Sequence, residues 1–330
     1  MNIFRTNIEL SPSENRINHQ SRTLFLGSCF TENVGNKLFE NKFSVDINPF
    51  GVLYNPVSVK NAIDILLEKK EFRKNDLYNF NDSWLSFYHD TSFSDIDADK
   101  CQEKINRKLK DSYKYFENLD YLVITWGTAW AYKFKESGKI VSNCHKIPAK
   151  AFQREKLELD SVVADYESLI VKLKELNPDL KIIFTVSPVR HWKDGAVQNQ
   201  ISKSTLIIAI QALINKFSNI EYFPSYEIMM DDLRDYRFYE EDMLHPNKVA
   251  VDYIWNKFSD RYFDNSTTAL MKDISKIANA RNHRPFNEKS KSHQKFLAKQ
   301  LIEIKQLKSE NPFLDFAEEI DYFTEKLIAK

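Results

Sequence analysis

A chain of 330 residues, 42% hydrophobic and 13% aromatic, holds enough apolar side chain for one large domain or two ordinary ones and is not disordered. Lys plus Arg balances Asp plus Glu at 47 each, so no net charge draws it to a polyphosphate backbone, which argues against nucleic acid as a partner. With six glycines and no G-x-G-x-x-G or Walker sequence it lacks phosphate-cradling loops, and no cofactor is expected.

The N-terminal "MNIFRTNIELSPSENRINHQ" has no apolar secretory core, and nowhere do roughly 18 apolar residues run together, so no membrane association is expected. Cys29, Cys101 and Cys144 are widely spaced and odd in number, which fits a reducing, cytoplasmic setting. "TLFLG" (23–27) reads as a buried strand, "ENVGNKLFENK" as the helix after it, "FSVDINPFG" (43–51) as a weaker strand and "PVSVKNAIDILLEKK" as its helix. Residues 71–96, with "YNFNDSWLSFYHD", read as an aromatic insertion over the sheet edge or the rim of a site. "YLVITWG" (121–127) is a third strand, and residues 128–159 read as a long loop carrying "NCHKIPAK". "SVVADYESLIVKLKELNP" is a helix stopped by Pro178, followed by the strand "KIIFTVSP" (181–188) and the helix "NQISKSTLIIAIQALINKFSN". The strand "IEYFPSYE" (220–227) and the helix "HPNKVAVDYIWNKFSDRYF" close the series.

This alternation predicts an α/β fold with about five parallel strands covered on both faces. Two units are expected, residues 1–262 and a C-terminal helical extension, 263–330, which is basic before it turns acidic. The extension reads either as peripheral helices or as a docking arm, with self-association through these helices as one outcome.

In a doubly wound sheet, ligands bind beyond the carboxyl ends of the strands. Ser28 stands at such an end, just before a helix whose free amides can hold an oxyanion; alternatively Gly27, Ser28 and Thr31 only make a turn and a cap. Asp242 and His245 form D-x-x-H after the fifth strand, so the fold would bring them to the same sheet end. An imidazole oriented by a carboxylate can take a serine proton, although Asp242 could instead serve the last helix and His245 be a rim histidine. Cys29 is expected to pack, since neighbouring residues at a strand end point to opposite sides. Cys144 and His145 lack a second pair at ligand spacing, so no metal is expected, and His145 is left to touch substrate. Arg190 could clamp a substrate carboxylate or phosphate or pair with Asp231 or Asp235; His191, beside it, and Trp130 are further substrate-binding candidates, while Trp126 and Trp192 line the pocket or the core.

Together "FLGSCFTENVGNKL", "NPFGVLYNP", "GTAWAY", "NCHKIPAK", "SPVRHWKDG" and "YFPSYEIMMDDLRDYRFYEEDMLHPN" resemble the GSCFA family, placed in the SGNH or GDSL-like hydrolase superfamily. Thr31 stands where the motif has alanine. The resemblance implies a three-layer α/β/α, flavodoxin-like fold in residues 1–262 and a catalytic triad of Ser28, Asp242 and His245. In that superfamily a glycine after the second strand and an asparagine after the third join the serine amide in the oxyanion hole. Here Ser28 and Gly51 suit the first two places; Thr128 stands where the asparagine is sought, with Asn143 as the other donor. The expected activity is a serine hydrolase or acyltransferase acting on a small-molecule or glycan ester. The other classes considered are a small-ligand binding protein that keeps the pocket without turnover, and a scaffold acting through the C-terminal helices.

Overall fold

The computed structural model describes residues 5–327. The chain runs β1 (Thr23–Gly27), α1 (Cys29–Glu40), β2 (Val45–Ile47), α2 (Pro56–Glu68), β3 (Tyr78–Phe80), β4 (Ser83–Leu85), α3 (Ala98–Phe116) and β5 (Tyr121–Trp126). It continues through β6 (Trp130–Phe134), β7 (Ile140–Val141), β8 (Phe152–Lys156), α4 (Leu159–Leu176), β9 (Lys181–Val186), α5 (Gly195–Ile214), β10 (Ile220–Phe223) and α6 (Ser225–Glu227). α7 (Lys248–Tyr262), α8 (Asn265–Asn282), α9 (Lys291–Glu310) and α10 (Ala317–Lys326) complete it.

β2, β1, β5, β9 and β10 pair in that order, all parallel, with Gly27 opposite Thr125 and Trp126 opposite Val186. Numbered within the sheet the order is 2-1-3-4-5, the doubly wound, flavodoxin-like arrangement, whose direction switches between β1 and β5. Alternate residues face opposite layers. Leu24, Leu26, Leu122, Ile124, Ile182 and Phe184 pack under α2, α3, α4 and α5, whereas Phe25, Val123 and Ile183 pack under α1 and α7. Strands buried on both faces have no polar side to show, which is why they stand out as apolar runs.

Residues 128–159 are not a loop. β7, β6 and β8 form an antiparallel sheet in that order, and the β3–β4 hairpin of the 71–96 segment packs on it through Leu85, Phe134, Val141 and Phe152. These strands lie at the surface, and β8 is Phe-Gln-Arg-Glu-Lys, so only single inward positions are apolar and no continuous run marks them. α3, outside the alternation predicted from sequence, hides its stripe of Cys101, Ile105, Leu109 and Ser112 among charged residues. α8, α9 and α10 enclose their own cluster of Ile274, Ile277, Leu297, Ile304 and Phe323. They meet the rest at Lys42, which pairs with Glu319 at 2.8 Å and lies 5.5 Å over the Phe316 ring. No helix among the described residues is long and apolar enough to cross a membrane.

Two histidines are built into the apolar interior. Burial lowers His89, set against Phe50 and Phe72, to about 3, and lowers His19, stacked 4.1 Å from Phe43, to about 4, from an ordinary 6.5. Below pH 6.5 the unfolded chain takes up protons that the folded one refuses, so stability falls as pH drops toward 4. The urea midpoint should therefore be lower at pH 5 than at pH 7, and the fall smaller in His89→Phe. A midpoint with the same pH dependence in both proteins would refute the assignment.

Candidate active site

The site begins with a backbone constraint. β1 ends at Gly27, whose φ is +141°, and a Cβ there would lie 2.1 Å from the Thr125 carbonyl oxygen, so the approach of β1 to β5 requires glycine. Ser28 follows in extended conformation as the N-cap of α1, but its side chain makes no capping bond. Its Oγ is buried and has no hydrogen-bond partner. The helix starts at Cys29, so Thr31, expected as its cap, lies inside α1 with Oγ1 buried and unpartnered, and the Ser28 hydroxyl at the N-cap position caps nothing either.

Ser28 lines a cavity of about 420 Å³ at the carboxyl ends of the parallel strands. Tyr54 and Asn55 come from the loop after β2, Thr128 from the turn after β5, Trp130 from the start of β6, Arg190 and His191 from the segment after β9, and Leu244 and His245 from the segment after β10. The hydroxyl and the imidazole thus share one wall system. No hydrogen bond joins them. Such bonds are often long in an empty site and tighten with substrate.

Asp242 and His245 organise themselves locally. Asp242 Oδ1 accepts the amides of Leu244 and His245, each at 2.9 Å, and Oδ2 lies 2.5 Å from His245 Nδ1. The His245 amide, then its ring and the Leu244 amide hold the Asp242 carboxyl down to about 2. With Nδ1 donating to the carboxylate, the tautomer assigned by this contact leaves Nε2 as an acceptor. Both side chains are about half exposed.

A second imidazole lies deeper. Burial, with the charges of Lys203 and Arg154, lowers His191 to about 4, so it is neutral at pH 7. A Cβ on Gly127 would fall 3.3 Å from His191 Nε2 and 3.5 Å from Ser28 Cβ, so the glycine keeps open the space between these two residues. Beneath them Lys203 of α5, fully buried, donates from Nζ to the carbonyls of Gly127 and Ser187, each at 2.7 Å. Sequence reasoning missed Lys203, although its spacing from Asn199, Leu206, Ile210 and Leu213 places it on the buried stripe of α5.

The expected oxyanion donors are largely engaged. The Ser28 amide bonds Thr125 O at 3.1 Å, the Gly51 amide bonds Asn48 O at 2.7 Å, and the Thr128 amide bonds Tyr54 O at 2.9 Å. The Thr128 hydroxyl meets Ser202 Oγ at 3.1 Å, and Asn143 Oδ1 accepts the His145 amide. Gly51, Asn143 and His145 are not among the cavity-lining residues; His145 is buried, with Nε2 2.9 Å from Ser86 O. Near Ser28, the amides of Cys29 and Phe30 at the start of α1 face the Cys29 thiol. Cys29 is not simply a packing residue: it is partly exposed and lines the cavity, because Ser28 belongs to the turn and Cys29 to the first helical position. Burial, with the charge of Glu32, pushes its thiol up, away from the thiolate. Trp130, Arg190 and His191 line the cavity, as does the half-exposed Trp192, whereas Trp126 is core and bonds Tyr166. Asp231 and Asp235 hold Arg234 and Arg237, so neither pairs with Arg190. Among the described residues no cluster of three or more His, Cys, Asp or Glu side chains could hold a metal ion.

The model of the GSCFA family matches residues 22–258, and that of the GSCFA domain protein C-terminal domain matches residues 274–329. No curated protein is similar enough to match. Among solved structures, a protein from Streptococcus pneumonia provisionally described as a platelet activating factor is 13% identical, covering 72% of this chain and 84% of its own, with a TM-score of 0.37. A carbohydrate esterase family 3 from Talaromyces cellulolyticus is 10% identical, covering 76% of this chain and 98% of its own, with a TM-score of 0.33.

Burial lowers Lys203 from 10.5 to about 7. Between those values the unfolded chain holds a proton that the folded one has shed, so this group raises stability as pH climbs through the window and contributes no slope below it. A neutral amine keeps two N–H donors, enough for both carbonyls. Lys203→Met should lower the unfolding free energy obtained from urea titration by about 1–3 kcal/mol for each carbonyl left unpaired. Its deficit against the native chain should widen from pH 7 to pH 9; a constant gap would count against the shifted lysine.

Proposed function

The chain belongs to the GSCFA family, and from that premise and the geometry of its cavity we propose that it is a serine hydrolase of the SGNH type acting on ester bonds. The observation that carries the proposal is the placement of an unpartnered Ser28 hydroxyl and a carboxylate-oriented His245 on one cavity. In this reading His245 Nε2 takes the proton of Ser28 as Oγ bonds the acyl carbon. The ester C–O bond then breaks, and the departing alcohol leaves with that proton. Water attacks the acyl-enzyme, gives a proton to Nε2, and releases the acid as the proton returns to Ser28 Oγ. Asp242 keeps the ring in the required tautomer throughout. In this reading the Cys29 and Phe30 amides, at the start of α1 next to Ser28, would receive negative charge on the carbonyl oxygen.

One observation favours a second reading. The Ser28, Gly51 and Thr128 amides already have carbonyl acceptors, which suits a small-ligand binding protein that retains the pocket without turning its ligand over.

The two readings separate on a covalent probe. A hydrolase should be labelled by a fluorophosphonate at Ser28 and should cleave p-nitrophenyl acetate, with Ser28→Ala losing about 1000-fold or more of kcat and all of the label. Cys29→Ala should still be labelled. Activity retained in Ser28→Ala would refute the serine assignment, and saturable ligand binding without labelling would favour the binding protein.

A further inference from the structure

We propose that the substrate is an ester of an anionic alcohol, one carrying a carboxylate or phosphate that Arg190 clamps; the inference rests on the hydrolase reading of Ser28 and His245. The cavity is lined by three cationic side chains, Arg154, Arg190 and Lys193, and by no carboxylate. Two of the three have partners. Arg154 is paired with Asp194 and lies 4.6 Å over the Trp130 ring, and Lys193 Nζ donates to Tyr132 Oη at 2.6 Å. Arg190 has neither ion pair nor hydrogen bond among the described residues: its Nε is buried without an acceptor and its guanidinium only stacks, 4.8 Å from the Trp192 ring. A partly buried guanidinium with unused donors is costly, and its planar fork matches a carboxylate or phosphate.

Position says which part of the ester carries the charge. A second cavity of about 530 Å³ shares Arg190, Trp192 and Leu244 with the first, so Arg190 stands at their junction on the side of the His245 segment. The carboxylates lining that second cavity, Asp235 and Asp242, already hold Arg237 and His245. The leaving alcohol must take its proton from the imidazole, which puts it on this side of the acyl carbon. The anion therefore rides on the alcohol, and the acyl group lies toward Ser28 and the start of α1.

The test compares 4-acetoxybenzoate and 4-acetoxyphenyl phosphate with their neutral counterpart 4-acetoxybenzamide. The native chain should favour at least one anionic ester by roughly tenfold or more in kcat/KM, the size of one charge-assisted contact, and the larger ratio identifies carboxylate or phosphate. That ratio should fall toward one in Arg190→Leu, and in Arg190→Gln should the first variant fail to fold, and be partly kept in Arg190→Lys. Calorimetry with the product alcohols 4-hydroxybenzoate, 4-hydroxyphenyl phosphate and 4-hydroxybenzamide reads the same site without turnover. Arg190-dependent binding of the anionic alcohols with no ester cleavage would uphold the anion site and sink the hydrolase reading. Equal treatment of anionic and neutral compounds in both measurements, or a preference that survives in a folded Arg190→Leu, would overturn the proposal.

Discussion

One ammonium group ties the architecture to the site. Lys203 Nζ donates to the carbonyls of Gly127 and Ser187, the first residues beyond β5 and β9, where parallel strands run out of ladder partners. A buried strand end with unpaired carbonyls is costly, and a charge buried to satisfy them is costly too. The compromise is a lysine whose proton is held far more loosely than usual and whose two contacts survive its loss. Its charge, when present, reinforces burial in keeping the neighbouring His191 neutral. One lysine thus ends two strands below the cavity and adds to the burial that keeps its deeper imidazole neutral.

The cavity's electrostatics follow from what surrounds that floor. Lys203 lies below, Arg154 and Arg190 lie on the walls, and α1 presents its amino end from the side. The charged side chains that line the cavity are all positive, and Glu32 of α1 is the opposing charge felt at Cys29. Such a site opposes a protonated His191 and favours negative charge on a bound molecule. The same field would favour charge developing on a carbonyl oxygen, so recognition of an anion and stabilisation of an oxyanion draw on one arrangement.

Much of the frame was legible because burial writes itself into composition. β1, β5 and β9 are apolar along nearly their whole length, since both faces are covered, and the runs "TLFLG", "YLVITWG" and "KIIFTVSP" overshoot them by at most two residues. β6 and β8 were not legible, because a surface strand needs only its inward residues to be apolar, and Arg154 on β8 faces the cavity instead. α3 was obscured by charged residues between its buried positions. In the site, sequence marked Ser28, Asp242 and His245 as candidates by their order, and the fold places Ser28 and His245 on one cavity. It could not reveal that the Gly51 amide is consumed by a local turn and the Thr128 amide by the distant Tyr54 carbonyl, because whether an amide is free depends on the path of the chain around it. Nor did it separate Ser28 from Cys29 correctly: alternation governs a strand, and this junction is a turn entering a helix.

The candidate triad divides its assembly between local and global forces. Asp242 and His245 are joined within four residues, through two backbone bonds and one ring contact, so their mutual geometry needs nothing from the sheet. Ser28 is the opposite case, fixed by the approach of β1 to β5 that only Gly27 permits. The fold then has one remaining task, to bring a preassembled turn after β10 to the mouth of a crevice set between β1 and β5. Because that turn is half exposed, it can adjust toward a bound molecule at little packing cost. Ser28, buried and held by the strands, cannot move to meet it. On the proposed hydrolase reading, productive geometry would be reached from the histidine side, with an anion held at Arg190 as the element that draws the two together.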